Sequence, residues 1–391
     1  MERANVTVET ALPLRPSWAE VDLDAVAFNV RQIRALVAPG VRVFTCMKCD
    51  ACGCGAVEVA RAVEQAGGDG LAFGDVDAAL ACRRAGVALP ILLYPSCLPD
   101  AAPLLARERL MPSLSTLADV RAWDAAADAP LDVFLKIDGG ALRAGALPDA
   151  AAQVAAAIHA SRHLRLAGAY GHPVAYGLAD PRYEAEQIAA IERAFDAVAR
   201  AVPLPVRMLS SSEIFLKHPR LDGDAVDPGR LVLGMDFPAV PERDCAWRPA
   251  LAGIKSRLVM AKDVDLAGDV VAAPYFPLRP GMRIGLIPLG WDAGLPRKLP
   301  QEPCVLVRGR RVRLLPPVHA ELTRVDLTDV PEAAVGDEVV LLGEGDGARI
   351  DIATFCALWS MQPLDLHTGL AGRLPKRYLG QPLHHNAPRG A

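Results

Sequence analysis

Long apolar runs are missing from this 391-residue chain, although 52% of its residues are hydrophobic. No segment reaches the roughly eighteen consecutive apolar residues that a membrane-spanning helix needs, so we expect no membrane span. The opening residues, MERANVTVET, carry acidic side chains and no apolar stretch, and so do not resemble a secretory signal peptide. These absences predict a cytoplasmic protein.

An excess of positive charge is also missing. The 42 Lys and Arg residues are outnumbered by 46 Asp and Glu residues, which gives a formal net charge of -4. Proteins that bind nucleic acids or acidic membranes through their surface need clustered basic residues. We therefore expect no nucleic-acid partner and no membrane partner.

The nine cysteines are an odd number in a chain without a secretion signal, so free thiols are expected rather than a disulfide framework. Four of them crowd into one segment, Cys46-Met-Lys-Cys49-Asp-Ala-Cys52-Gly-Cys54. A metal site is one interpretation, but the spacing matches no paired C-x2-C knuckle, and the segment leads from a strand into a loop. We predict no metal and small packing or pocket-lining roles for these cysteines.

The first two-thirds of the chain alternates short β-rich runs with Ala-rich amphipathic stretches, which is typical of βα units around a parallel sheet. Asp24 is the predicted N-cap of an opening helix at 25–37, and 183–202 has helical spacing of its apolar residues. The β-rich runs are 41–48, 68–74, 90–96, 111–116, 131–138, 164–172, 206–212 and 225–234. Eight such units predict an α/β fold with a (β/α)8 barrel, whose active site lies at the C-terminal ends of the strands.

Several of these runs end in residues that are capable of chemistry. They are Lys48, Asp138 with Arg143 beyond it, His172, Ser211 and Asp227. Because strand ends meet at one face of a barrel, we expect these side chains to share a site.

After about residue 246 the pattern changes to strands joined by Gly, Pro and Asp turns, which predicts a C-terminal mainly-β domain. A length of 391 residues also exceeds the usual size of one hydrophobic core. We predict an N-terminal segment at 1–16 packing on the β domain, a barrel at 17–245, the β domain at 246–380 and a flexible tail at 381–391.

Ten segments, taken in order along the chain, resemble the alanine racemase family. There the opening pattern is W-A-E-x-D-L-x-A-x-x-x-N, followed by V-K-A-D-A-Y-G-H-G. The matching segments are RPSWAEVDLDAVAFNVRQIR (15–34), MKCDACGCGAVEVARA (47–62), LKIDGGALRAG (135–145), GAYGH (168–172), SSSEI (210–214), DPGRLVLG (227–234), IKSR (254–257), IPLGWDAGLPR (287–297), VDLTD (325–329) and GDEVVLLG (336–343).

The resemblance implies a barrel that binds pyridoxal 5'-phosphate (PLP), followed by a β domain, in a homodimer with shared active sites. Lys48 stands in the place of the lysine that forms a Schiff base with the cofactor. Ser211 and the turn at Gly229-Arg230 match the phosphate-binding positions, with Cys52 at the place of a family tyrosine. Arg143 matches an arginine at the phenolic oxygen of the cofactor, and His172 a histidine beside its pyridine ring.

Two departures from the family pattern concern the reaction itself. The family's second base is a tyrosine in a G-Y-A-D-G motif, but this chain has Trp291 there, and indole cannot exchange a proton at Cα near neutral pH. The family has V-R-P-G where this chain has Val226-Asp227-Pro228-Gly229-Arg230, similar to the E-P-G-R motif of barrel-type diaminopimelate and ornithine decarboxylases. A carboxylate at Asp227 favours a protonated pyridinium, a strong electron sink.

The substrate side of the family pattern has also diverged. The substrate-carboxylate segment V-C-M-D reads Val318-His319-Ala320-Glu321, and the C-terminal phosphate-contacting tyrosine aligns with Leu364. His319 and Glu321 are candidates for a replacement acid or base, while Arg143, Trp291 and Ala320 are predicted to line the substrate pocket.

We interpret the chain as a PLP-dependent enzyme that acts at Cα of an amino acid through an aldimine on Lys48. One base and a strong electron sink favour carbanion chemistry at one face: decarboxylation, aldol-type cleavage or condensation, or elimination. Two alternatives stay open. One is an amino-acid racemase or epimerase whose second base is His319, Glu321 or Cys52, and the other is a non-catalytic PLP-binding protein.

Overall fold

The computed structural model describes residues 14–174, 180–235, 241–243, 245–264, 275–299 and 303–380. The predicted tail and most of the predicted N-terminal segment lie outside these residues. The described residues group into two compact units. One contains 25–51 and 56–248, and the other contains 14–24, 52–55 and 249–380.

The first unit is a closed barrel of eight parallel strands, each paired with the next along the chain. The last strand pairs with the first through Arg42–Ala225 and Val43–Val226, which closes the ring. The strands are β2 (Arg42–Cys46), β3 (Gly70–Phe73), β4 (Ile91–Leu93), β5 (Leu110–Leu114), β6 (Leu131–Ile137), β7 (Leu164–Gly171), β8 (Arg207–Ser210) and β9 (Ala225–Val226). Seven of the eight predicted β-rich runs contain one of these strands whole, the run at 111–116 overlaps β5 from its second residue on, and the predicted barrel is confirmed.

The barrel interior is filled by side chains from most of its strands, among them Phe44, Phe134 and Tyr170. Phe134 packs edge-on against both of the other rings. Gly70 faces Phe44 so closely that an added Cβ would lie 2.4 Å from the ring carbon Cε1. The missing side chain at Gly70 therefore makes the space that the Phe44 ring occupies.

Helices follow the strands and bury one apolar face each. They are α1 (Leu23–Leu36), α2 (Lys48–Gly53), α3 (Ala56–Gln65), α4 (Val76–Arg84), α5 (Ala102–Glu108), α6 (Leu117–Ala126), α7 (Pro148–Ala160), α8 (Arg182–Ala201) and α9 (Ser212–Lys217). In α8 the buried residues include Ile188, Ile191, Phe195 and Val198, which confirms the predicted helical spacing.

The predicted N-cap at Asp24 is wrong, because α1 already begins at Leu23 and Asp24 lies inside its first turn. An acidic side chain there is favourable, since the unpaired N–H groups of the first turn carry partial positive charge.

The second unit is built on a mainly antiparallel sheet of ten strands, as the sequence predicts for the C-terminal region. The strands are β1 (Ser17–Asp22), β10 (Leu251–Arg257), β11 (Met260–Asp263), β12 (Arg283–Ile287), β13 (Cys304–Val307), β14 (Arg310–Leu315), β15 (Thr323–Asp326), β16 (Glu338–Gly345), β17 (Ala348–Ile350) and β18 (Lys376–Leu379). Two helices, α10 (Ile352–Trp359) and α11 (Pro363–Asp365), and a π-helical turn at Leu366–Ala371 precede β18.

Residues 17–22, expected at the start of the barrel domain, belong instead to this sheet as β1. The strand pairs antiparallel with β10 and parallel with β18. Trp18, Ala19 and Val21 are buried. The pairings with β10 and β18 cover both edges of the strand. Of the helices that the structure describes, none is long and apolar enough to cross a membrane.

Candidate active site

Lys48 is the first residue of α2, directly beyond the C-terminal end of β2. The backbone N–H of Met47 donates to the carbonyl of Ala72 at 2.7 Å, which continues the pairing of β2 with β3 up to the lysine. The lysine side chain is exposed, and its Nζ lies 5.2 Å from the centroid of the Tyr94 ring. The sequence prediction that Lys48 stands at a strand end is confirmed.

The segment after Lys48 is a left-handed helical turn rather than the predicted loop. Cys49, Asp50, Ala51 and Cys52 have consecutive φ values of 56°, 56°, 52° and 49°. This conformation costs roughly 1–2 kcal/mol per residue that has a side chain. Asp50 offsets part of that cost, because its carboxylate accepts the N–H of Ala56 at 2.7 Å. Strained backbone of this kind is concentrated at functional sites.

The four clustered cysteines have different environments. Cys49 is exposed, Cys46 and Cys52 are half-buried and Cys54 is buried, and none of the four is in a disulfide. Among the described residues no group of three or more His, Cys, Asp and Glu side chains could hold a metal ion.

Asp227 follows β9 and is buried, with 6% of its surface exposed. Its N–H donates to the carbonyl of Ser210 at 2.9 Å, and its Oδ2 accepts the hydroxyl of Tyr94 at 3.1 Å. Burial raises the pKa of Asp227 to about 6, although the nearby Lys48, Tyr94 and Lys136 act against this rise. The carboxylate thus lies in the same barrel mouth as Lys48.

Two residues of the site were missed by the sequence reasoning. Tyr94 lies directly beyond β4, within the β-rich run at 90–96, and so had the strand-end position that selected the others. Lys136 lies within β6, where a lysine in a mainly apolar strand was the available signal. Its Nζ donates to the carbonyl of Ile137 at 3.0 Å and lies 4.7 Å from the Tyr170 ring centroid. Burial and then Arg143 lower the pKa of Lys136 to about 8.

Asp138 shapes the loop that carries Arg143. Its carboxylate accepts four backbone N–H groups, from Gly140 and Ala141 at 2.8 Å, Leu142 at 3.3 Å and Arg143 at 2.9 Å. Arg143 itself is exposed at the barrel mouth. Asp138 therefore acts on the site by fixing the loop rather than by reaching into it.

His172 stands one residue beyond β7 and is neutral at physiological pH. Burial is the main cause that lowers its pKa to about 3, with smaller contributions from Lys136, Lys48 and Arg143. A neutral imidazole can donate or accept one hydrogen bond beside a ring, but it brings no positive charge.

The predicted phosphate-binding positions also lie close together. Ser211 is the N-cap of α9, and its hydroxyl makes no capping hydrogen bond. The neighbouring Ser212 accepts the N–H of Gly229 at 3.1 Å and of Leu231 at 3.4 Å, so it holds the glycine turn in place. A Cβ at Gly229 would lie 2.8 Å from the Cβ of Cys46, so only glycine fits there, and Arg230 is half-buried beside it.

These residues fit PLP in their donor chemistry. Lys48 offers an amine for the aldehyde, and Asp227 offers a carboxylate for the ring nitrogen. Ser211 offers a hydroxyl for the phosphate.

The second unit holds the predicted substrate-side residues in one surface cluster. The N–H of Trp291 donates to the carbonyl of His319 at 3.1 Å, and that of Asp292 to the carbonyl of Ala320 at 3.0 Å. The carbonyl of Glu321 accepts a hydrogen bond from Arg15. Trp291 is 39% exposed, so the structure leaves much of the indole on the surface of this unit. Leu364 is exposed on α11.

Comparison with known proteins gives matches along almost the whole chain. The alanine racemase N-terminal domain matches residues 21–236, and the alanine racemase C-terminal domain matches 252–378. An alanine racemase of Laribacter hongkongensis is 33% identical over 94% of this chain and 99% of its own length. That of Desulfovibrio desulfuricans is 31% identical over 87% and 92%. The structure of alanine racemase from D-cycloserine producing Streptomyces lavendulae is 28% identical with a TM-score of 0.80, over 97% of this chain and 100% of that one.

Two lysines share the barrel mouth, and only Lys48 is exposed at a strand end. We predict that borohydride reduction of the protein with PLP fixes the cofactor on the peptide that contains Lys48. The variant Lys48→Arg keeps the positive charge but loses the reactive amine, so it retains no covalent PLP in mass spectrometry. The matched control is Lys136→Arg, which keeps the label on Lys48. Retention of the label by Lys48→Arg would show that another amine carries the cofactor.

Proposed function

Because this chain belongs to the alanine racemase family of PLP-dependent enzymes, we propose that it acts at Cα of an amino acid and moves the Cα proton at one face with Lys48. The observation that carries the proposal is the buried carboxylate of Asp227 in the same barrel mouth as Lys48. The reactions open to such a site are decarboxylation, aldol-type cleavage or condensation, and elimination.

The barrel-mouth residues that match the family pattern have the following parts in this proposal. Lys48 holds the cofactor through its Nζ and afterwards serves as the base at Cα. Ser211 and the turn at Gly229-Arg230 bind the phosphate, and Arg143 and His172 orient the ring. PLP supplies an electron sink that accepts the electron pair released at Cα.

Asp227 holds a proton at the ring nitrogen. An ionised carboxylate favours a positive charge beside it, and burial strengthens that attraction because little water screens the pair. The neutral His172 adds no competing positive charge. A ring nitrogen kept protonated withdraws electrons strongly, so a single base at Cα is enough to start the reaction.

Trp291 supports chemistry at one face. In the resemblance described above, this position carries the tyrosine that exchanges a proton with Cα in the racemases. Indole has only an N–H donor and neither gives nor takes a proton near neutral pH. With Trp291 at this position, the chain has no second base where the family has its tyrosine.

The proposal is tested by incubating the protein with PLP and a panel of L- and D-amino acids in heavy water. We expect one enantiomer of a substrate to take up deuterium at Cα, or to lose a Cα substituent, while its configuration is retained. Mass spectrometry measures the deuterium and chiral chromatography the configuration. Conversion of L- to D-alanine at the rate of deuterium uptake contradicts the proposal.

The names of the relatives favour a second function, amino-acid racemisation, since the alanine racemases cited above match nearly the full chain. It requires a second proton carrier, for which His319, Glu321 and Cys52 are the candidates. In that case, replacing the responsible residue by His319→Gln, Glu321→Gln or Cys52→Ala lowers the racemisation rate about 10²–10⁴-fold, the usual contribution of a general base. If all three variants racemise at the parent rate, these residues carry no such role.

The resemblance further supports a homodimer with shared active sites, and a cytoplasmic location stays the prediction from the sequence composition. Sedimentation of the full chain at several concentrations measures the first. A third function, non-catalytic PLP binding, is tested by the visible absorbance of the protein with PLP: absorbance that no amino acid changes would favour it.

A further inference from the structure

Tyr94 occupies a position in the barrel mouth that the function above does not use. It lies directly beyond β4, and its N–H donates to the carbonyl of Phe73 at 2.8 Å, so its backbone continues the pairing of β3 with β4. The ring is half-buried and packs tilted against Tyr170, with 5.8 Å between the ring centroids. The backbone pairing and the ring packing together leave the Tyr94 side chain little freedom.

The two ends of the Tyr94 side chain contact the two residues on which the proposed chemistry depends. Its hydroxyl donates to Oδ2 of Asp227 at 3.1 Å. Its ring lies 5.2 Å from Nζ of Lys48, within the range of a cation–π interaction. Tyr94 thus links the carboxylate to the cofactor lysine through one rigid side chain.

The hydroxyl of Tyr94 acts as a donor in this contact. Burial, with the nearby Cys46 and Asp227, raises the pKa of Tyr94 well above its ordinary value, so the phenol keeps its proton. A donated hydrogen bond stabilises the ionised form of the carboxylate more than the protonated form.

We propose that Tyr94 is a positioning residue, which holds Asp227 ionised and aimed for the ring nitrogen while it restrains Lys48. This inference rests on the proposed function, because it assigns Asp227 to the cofactor ring. Tyr94 acts through Asp227 and Lys48 and needs no contact with the substrate.

Other charged and titratable groups also face Asp227, and each either favours its ionised form or is neutral. Lys48 and Lys136 favour its ionised form, as Tyr94 does. Cys46 and Tyr170 are neutral at physiological pH, because burial raises the pKa of each. Among the donors to Asp227, Tyr94 can be removed without changing the charge of the site.

The test is an infrared titration of the carboxyl band of Asp227 in the full chain freed of PLP, identified by subtracting the spectrum of Asp227→Asn. We expect Tyr94→Phe to raise the midpoint by about one pH unit, since a hydrogen bond to a charged group contributes roughly that much. Incorporation of difluorotyrosine at position 94, whose phenol is a stronger donor, shifts the midpoint the opposite way. It also provides a second variant if Tyr94→Phe folds poorly.

The matched control is Tyr170→Phe, which removes the neighbouring phenol hydroxyl that hydrogen-bonds to Ser113 and leaves the contact to Asp227 intact. Its midpoint stays that of the parent. Equal midpoints for Tyr94→Phe and the parent overturn the inference, whatever reaction the protein catalyses.

A second readout connects the inference to the loaded protein. Deuterium exchange at Cα falls toward low pH as Asp227 becomes protonated, and in Tyr94→Phe this fall moves to higher pH by the same amount. A shifted infrared midpoint without exchange at Cα or loss of a Cα substituent, in parent or variant, contradicts the proposed function but leaves the role of Tyr94 toward Asp227 intact. Exchange with an unshifted pH profile overturns the role of Tyr94.

Discussion

The burial of one carboxylate, Asp227, governs the chemistry of the barrel mouth. A carboxylate with 6% of its surface exposed is stable in ionised form only with positive or donating partners close by. Lys48 beyond β2, Tyr94 beyond β4 and Lys136 within β6 provide these partners. These partners favour the ionised form of the carboxylate, and an ionised carboxylate attracts a positively charged ring nitrogen. The barrel thus buries the carboxylate that is proposed to keep the cofactor ring protonated.

The backbone around this site is held by interactions that add no chemistry of their own. The left-handed turn after Lys48 is strained, and Asp50 supports it by accepting the N–H of Ala56. Asp138 fixes the loop of Arg143 through four backbone N–H groups, and Ser212 fixes the turn at Gly229. These residues place the reactive groups, so changes in them would alter geometry rather than remove a proton carrier.

The barrel could be predicted from the sequence because its signal is local. Each strand is a short apolar run followed by a helical pattern, and eight repeats of that unit permit few architectures. The strand-end positions of Lys48, His172, Ser211 and Asp227 followed from the same pattern. The place of β1 was not predicted, because a strand of six residues next to a helix carries no mark of the distant strands with which it pairs.

The contacts within the site were harder to predict. The hydrogen bond from Tyr94 to Asp227 joins residues 133 positions apart, and no local pattern pairs them. The left-handed turn was missed because Cys49, Asp50, Ala51 and Cys52 do not include the glycine that usually marks positive φ. The family resemblance supplied roles for most of the site, whereas the contacts that Tyr94 and Lys136 make there are defined by the structure.

The proposed function depends on the protonation of the cofactor ring, and nitrogen NMR of the protein loaded with PLP, labelled with ¹⁵N in the ring, measures that protonation. We expect a pyridinium nitrogen in the parent protein at neutral pH, and a largely unprotonated nitrogen in Asp227→Asn. An unprotonated ring nitrogen in the parent protein would contradict it.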